Sequence, residues 1–384
     1  MNPSSDQRPQ TGQGSSPRRH LAVFLPSLEG GGAERVVATL VNELAHRNYR
    51  VDLVLASATG PYLSLLSPQV RVIDLKVNRI IKSLLPLAGY LREARPEAML
   101  AAMAHANVVA LLARRLSNVR MRLVVAEHST ISQEQVIASG FSTRLVFKLV
   151  PILYPWADAV CTVSKAAAMD LTRFLGSPGR TKVATIYNPF DIRSIEQQSC
   201  EPLDHPWFRA GQAPVIVGMG RLNEAKDFHV LIQAFAKLRA RREARLLILG
   251  EGELRKELQA EVDRCQLSPD DVQMPGFVPN PYAYLSCCDL FVLSSRREAL
   301  PGALIEAMIC GAPVISTDCA SGPQEILEGG RWGRLVAVGD VAALSEAMFQ
   351  VLSAPRATLP DTRRRGQDFD VGRSTDEYLG LLGL

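Results

Sequence analysis

No stretch of this 384-residue chain approaches the ~18 uninterrupted apolar residues that a bilayer-spanning helix needs. The N-terminus also lacks the apolar core of a secretory signal, so a soluble or peripheral protein is expected. Cysteine is present seven times, at positions 161, 200, 265, 287, 288, 310 and 319, but without a single C-x-x-C pair. An odd set of thiols, mostly in apolar surroundings, reads as reduced and cytoplasmic. No convincing D-x-D site offers itself to a divalent metal, and neither metal nor cofactor is expected. Charge of one sign is lacking too: the net charge is +4 and the basic residues form no stripe, which argues against nucleic acid as a partner. Residues 1–19 are polar and rich in Ser, Gln, Pro and Gly, too poor in apolar surface to order themselves, and are read as a disordered tail.

What is there is a chain with 47% apolar residues, longer than one core usually fills, so two domains are expected. Strand patterns at 21–26, 51–57, 71–75, 98–102, 122–126, 158–163 and 182–187 alternate with helical patterns at 84–94, 106–117, 142–154 and 165–175. That alternation predicts a doubly wound parallel sheet over residues 20–190. Periodicity fades from 188 to 213, where prolines 189, 202 and 206 interrupt it, and a linker is placed at 191–213. Alternation restarts at 214 and runs to 353, predicting a second Rossmann-like α/β domain and a ligand cleft between the two. The remainder, 354–384, carries R-R-R at 363–365, read as a solvated face, and a final helix near 374–382.

Candidate site residues fall at the ends of these strands. The stretch S-S-R-R-E-A-L-P-G-A-L-I-E-A-M, residues 294–308, follows the apolar run Leu290–Leu293 and leads into a helix beginning near Gly302. Free N–H groups at Leu300, Gly302 and Ala303 can face a phosphate, while Glu298 and Glu306 can accept from neutral hydroxyls. Spacing alone also allows the two glutamates to be a catalytic acid/base pair. In G-M-G-R-L-N-E-A-K, residues 218–226, Arg221 and Lys226 can meet a diphosphate as a fork and a point charge, or be surface cations. The turns at Gly250 and at Phe277 and Val278 can line a base and ribose pocket through backbone groups. The 27–35 loop, S-L-E-G-G-G-A-E-R, brings Gly31 and Gly32 to a helix start, but it is a poor G-x-G-x-x-G fingerprint and Asp52 lies at the wrong end of the next strand. His128, following Glu127, emerges where open α/β sheets place ligands; a histidine merely hydrogen-bonded in its loop is the other reading.

The ordered set G-G-G-A-E at 30–34, E-H at 127–128, N-P at 188–189, G-R-L-x-x-x-K-D at 220–227, L-G-x-G at 249–252, P-G-F-V at 275–278 and E-x7-E at 298–306 resembles the retaining glycosyltransferases of sequence family four. The segment 316–327, S-T-D-C-A-S-G-P-Q-E-I-L, is similar to one found in bacterial enzymes that build lipid-linked or surface glycans. The resemblance implies the GT-B fold, an N-terminal acceptor domain, a C-terminal donor domain and no metal. It also implies Arg221 and Lys226 on the donor diphosphate, Glu306 on the ribose, and Glu298 on the transferred sugar with help from Leu300, Pro301 and Gly302. Gly31 and Gly32 would close over the diphosphate and His128 would contact the donor sugar. Leu300 departs from the Phe of many relatives, keeping the position apolar.

The expected partners are a nucleotide-sugar donor, UDP-linked in preference to GDP-linked, and a lipid-linked or growing glycan acceptor. Segment 141–156, with Arg144, Lys148 and Trp156, suits either a buried helix or one lying on the inner-membrane surface, as does the stretch flanked by Lys76, Arg79 and Lys82. Alternative functions are a nucleotide-sugar epimerase of the same shape and a binding protein without catalysis.

Overall fold

The computed structural model describes residues 18–137, 140–176 and 181–384, so most of the polar tail lies outside the described residues. Its central strands are mostly apolar runs of the sequence, because a parallel strand covered by helices on both faces buries both sets of side chains. The first sheet comprises β1 (His20–Leu25), β2 (Arg50–Leu55), β3 (Arg71–Asp74), β4 (Ala98–Ala102), β5 (Arg122–Glu127), β6 (Ala159–Thr162) and β7 (Val183–Thr185). They are parallel and ordered β3-β2-β1-β4-β5-β6-β7. The second comprises β8 (Val215–Met219), β9 (Arg245–Leu249), β10 (Val272–Gly276), β11 (Leu290–Leu293), β12 (Val314–Thr317) and β13 (Arg334–Val336), ordered β10-β9-β8-β11-β12-β13. Each sheet is covered by apolar clusters on both faces. In each the strand order reverses once, between β1 and β4 and between β8 and β11, and the crevice at such a reversal is where open α/β sheets bind ligands. The two Rossmann-like α/β layers are thus as the alternation predicts.

Three expectations about connecting segments are corrected. The stretch from 188 onward contains a helix, Ile192–Ser199, N-capped by Asp191. Its two buried isoleucines, Ile192 and Ile195, seat it on the second core, too short a pattern for periodicity to reveal. A short helix, Ile131–Ile137, also goes unsignalled in a polar stretch. The run Arg363 to Arg365 is a solvated face at Arg363 and Arg364 but not at Arg365. Arg365 is buried, donating to the carbonyls of Ile326 and Glu325 and to Asp368, and Arg363 donates to the carbonyl of Cys310. These guanidinium groups satisfy carbonyls that helix ends leave open. Arg363 and Arg364 stay exposed.

The chain then returns to the first sheet. Phe190 N–H donates to Phe369 O (3.0 Å) and Val371 N–H to Phe190 O (2.9 Å), so the outgoing and returning crossings pair side by side. The final helix, Val371–Leu382, buries Tyr378, Leu379 and Leu382 in the core beside β1.

Candidate active site

The loops leaving β8 and β11, at the reversal of the second sheet, are tied to one another. Arg296 N–H donates to Ala225 O (2.8 Å), Ser294 Oγ to Lys226 O (2.8 Å), and the Arg296 guanidinium forks Asp227 at 2.6 and 3.2 Å. Asp227 is buried, so its charge is held by that fork rather than by water. The result is a fixed ammonium: Lys226 Nζ donates to Glu298 Oε1 at 2.6 Å, and Ser295 Oγ donates to the same oxygen at 2.7 Å. Arg221 goes elsewhere. It pairs with Glu253 at 3.1 Å with its side chain 72% exposed, against 20% for Lys226, so the two cations do not converge here.

Glu306 projects from the helix Gly302–Ile309 and is only 6% exposed. Tyr282 Oη donates to its Oε1 at 3.1 Å, and Arg35 from the other sheet's first helix, Gly32–His46, approaches the same oxygen at 3.2 Å. Arg35 also donates to Tyr282 Oη. The Glu306 charge holds the Arg35 guanidinium above its usual range, while burial, followed by that charge, raises the Tyr282 phenol. Pro301 precedes the Gly302 helix in an extended conformation, Leu300 is buried in the core, and the N–H groups of Gly302 and Ala303 open the helix without an acceptor inside it.

Across the cleft, Glu127 ends β5 fully buried, accepting from Tyr154 Oη and from Asn107 Nδ2 (3.0 Å). Burial pushes its carboxyl up to about 7 against those bonds, and burial pushes the neighbouring His128 ring down to about 4. His128 Nδ1 and Asn188 Oδ1 are buried without a hydrogen-bonding partner among the described residues. Two residues on, Thr130 Oγ1 meets Ser321 Oγ at 2.9 Å, and Ser321 donates to the carbonyl of Glu298. The His128 loop is therefore joined to the Glu298 loop through two hydroxyls that the sequence gives no reason to single out. Lys165 N–H to Glu325 (2.9 Å) and Tyr187 Oη to Glu325 (2.6 Å) close the same edge.

The glycine turns also serve contacts within the protein. Gly250 has φ +137°, and a Cβ there would lie 2.0 Å from Gly220 O; at Gly252 it would lie 2.3 Å from Leu222 O. These glycines allow the loop after β9 to pack on the loop after β8, which is a contact within the protein. Phe277 is 75% exposed at the end of β10, and Val278 is half-buried against the core. Gly31 caps the Gly32–His46 helix, and a Cβ at Gly32 would meet nothing within 4 Å. Among the described residues no group of three or more His, Cys, Asp or Glu is placed to hold a metal.

Residues 30–194 match the family model described as Glycosyltransferase Family 4, and residues 213–354 the model described as Glycosyl transferases group 1. Over 375 residues the chain is 32% identical to the N-acetylgalactosamine-N,N'-diacetylbacillosaminyl-diphospho-undecaprenol 4-alpha-N-acetylgalactosaminyltransferase of Campylobacter jejuni, covering 94% of this chain and 99% of that one. It is 27% identical to the amylovoran biosynthesis glycosyltransferase AmsD of Erwinia amylovora, over 78% of this chain and 80% of that one. Its fold resembles that of Anabaena Alr3699/HepE, solved with UDP and glucose, with a TM-score of 0.77 at 22% identity over 94% of this chain and 99% of that one. Two Rossmann-like sheets facing across a cleft, with both halves matched in sequence, make this chain a glycosyltransferase belonging to family 4, with the GT-B fold.

Proposed function

We propose that the enzyme transfers a sugar, with retention of anomeric configuration, from a nucleotide-diphosphate-sugar to a lipid-linked or growing glycan in cell-envelope polysaccharide synthesis. The observation that carries this reading is the fixed Lys226–Glu298 contact at the strand reversal of the second sheet (2.6 Å), with Glu306 on the next helix. Breaking a sugar–phosphate bond leaves an oxocarbenium-like carbon and a diphosphate, so the site needs cations at the phosphate and hydrogen bonds at the sugar. Lys226 takes the departing diphosphate, joined by Arg221 once it leaves Glu253, and the N–H groups of Gly302 and Ala303 add donors. Glu298 accepts from hydroxyls of the transferred sugar, Glu306 from the ribose, and His128, neutral at pH 7, touches the sugar from the facing domain. The acceptor hydroxyl attacks the face from which the diphosphate departs. Its oxygen bonds the anomeric carbon, the carbon–phosphate-oxygen bond breaks, and the leaving phosphate oxygen takes the proton.

Residues 214–353 serve as the donor domain and 20–190, with the returning terminal helix, as the acceptor domain. UDP is the favoured nucleotide: Anabaena Alr3699/HepE was solved with UDP-glucose as well as with UDP. The Campylobacter relative's name specifies a diphospho-undecaprenol-linked acceptor, and an acceptor of that class fits the outer surface of the first domain. No helix of the described residues is long and apolar enough to cross a membrane. Instead Ile81, Leu85, Leu145, Ile152 and Trp156 are exposed there, accompanied by Lys76, Arg79, Lys82 and Lys148. Exposed apolar side chains with cations beside them in sequence suit peripheral contact with an anionic leaflet, on the cytoplasmic face of the inner membrane.

The test is a panel of UDP- and GDP-sugars with a polyprenyl-diphosphate-linked saccharide acceptor and a chelator present, scored by nucleotide release and product configuration. Acceptor-dependent release with an axial-to-axial or equatorial-to-equatorial outcome is expected. Turnover of donor without acceptor would replace the reading with an epimerase, and binding without turnover with a regulator.

A further inference from the structure

Glu306 Oε1 is shared by two donors, Tyr282 from its own domain (3.1 Å) and Arg35 from the opposite one (3.2 Å). Arg35 and Tyr282 are themselves hydrogen-bonded, so the three groups form a closed triangle across the cleft. Tyr282 and Glu306 are buried, whereas the Arg35 side chain is 42% exposed and enters from the cleft side. A ribose held by Glu306 must present its hydroxyls to the same carboxylate from the same open side, since the protein covers the other. A guanidinium N–H and a ribose hydroxyl are both donors to that carboxylate, and both reach it from the open side.

Resting on the reading of Glu306 as the ribose acceptor, we propose that Arg35 occupies the ribose seat in the empty enzyme and must be displaced by the donor's ribose. Donor binding is then an exchange: an ion pair across the cleft is broken as hydrogen bonds from uncharged ribose hydroxyls to the carboxylate form. The exchange lowers apparent donor affinity, and the seat is never left as a buried carboxylate without a donor, which would be the more expensive state. The displaced guanidinium stays on the first turn of the helix Gly32–His46.

A nucleoside isolates the seat, because it carries ribose but no phosphate. Uridine and guanosine are titrated in parallel by ligand-observed NMR into the full-length wild type, Arg35→Met, Arg35→Lys and Glu306→Gln. Arg35→Met should bind its preferred nucleoside about three- to tenfold tighter than wild type, the worth of a partly exposed ion pair. Arg35→Lys, which keeps the charge but not the N–H that reaches Tyr282, should fall between. In the wild type, raising salt from 0.05 to 0.5 M should tighten binding of the neutral nucleoside, and that salt effect should vanish in Arg35→Met. Unchanged or weaker nucleoside binding in Arg35→Met, with no salt effect in wild type, overturns the proposal for Arg35 alone. Undiminished binding in Glu306→Gln, or no nucleoside binding by any variant, overturns the ribose reading on which it stands. The wild-type salt series needs no substitution, so a variant that fails to fold leaves the test intact.

Discussion

Lys226 and Arg221 leave the same strand, but Lys226 is enclosed against Glu298 while Arg221 lies in solvent against Glu253, and surroundings set what each charge is worth. A contact from a desolvated ammonium to a phosphate is worth ~1.5–3 kcal/mol, so Lys226→Ala should lower kcat/KM for donor roughly tenfold or more. Arg221→Ala should lower it less. Initial rates of nucleotide release check both, and wild-type kinetics in Lys226→Ala would remove the diphosphate role. Glu127 and His128 make a pH prediction of opposite signs. The Glu127 carboxyl is raised from 4.5 to about 7, so its contribution to stability is complete below about 4.5 and is lost as pH rises through about 7. The His128 ring is lowered from 6.5 to about 4, so its contribution is complete above about 6.5 and is lost as pH falls through about 4. The two slopes oppose each other between pH 4.5 and 6.5. Glu127→Gln, which keeps an acceptor for Tyr154, should therefore expose a steeper rise in melting temperature from pH 4 to 6.5 and should gain on wild type above pH 7. A wild-type pH profile in that variant would remove the titration of Glu127. Glu298, Glu306 and Lys226 were legible in sequence because each sits on the loop or helix that follows an apolar strand. Arg35, Thr130 and Ser321 were not, because each takes its meaning from a partner in the other domain, and nothing local marks that partner.

At the scale of elements, the loop after β9 is pressed onto the loop that carries Lys226. Gly250→Ala would place a methyl 2.0 Å from Gly220 O at a left-handed φ, so the loop must move. A destabilisation of ~2 kcal/mol or more, seen as a lower melting temperature, and a weaker grip on UDP are expected together. Loss of stability with undisturbed UDP affinity would show the two loops to be independent. Buried parallel strands were readable because burial on both faces makes them continuously apolar, and their boundaries moved by only a residue or two. The Ile192–Ser199 helix and the buried Arg365 were hidden for a common physical reason. An eight-residue helix with two buried side chains has too little period to detect, and a guanidinium satisfying distant carbonyls looks like any surface arginine.

For the whole molecule, the terminal helix belongs in space to the domain the chain built first. Tyr378, Leu379 and Leu382 fill that core, and burial of three such side chains is worth up to ~5 kcal/mol. A chain ending before Val371 should lose stability in its first domain while the second still binds nucleotide; domain-resolved hydrogen exchange separates the two, and equal protection in both would contradict this. The paired crossings at Phe190 and Phe369 carry a different consequence. A single covalent strand between two bodies is a swivel, free to turn about three axes. Two strands bonded edge to edge leave one easy axis, the line along which they lie, so opening and closing become travel along a single angular coordinate. Closure of the empty enzyme then returns Arg35 to Glu306 and Thr130 to Ser321 without an orientational search.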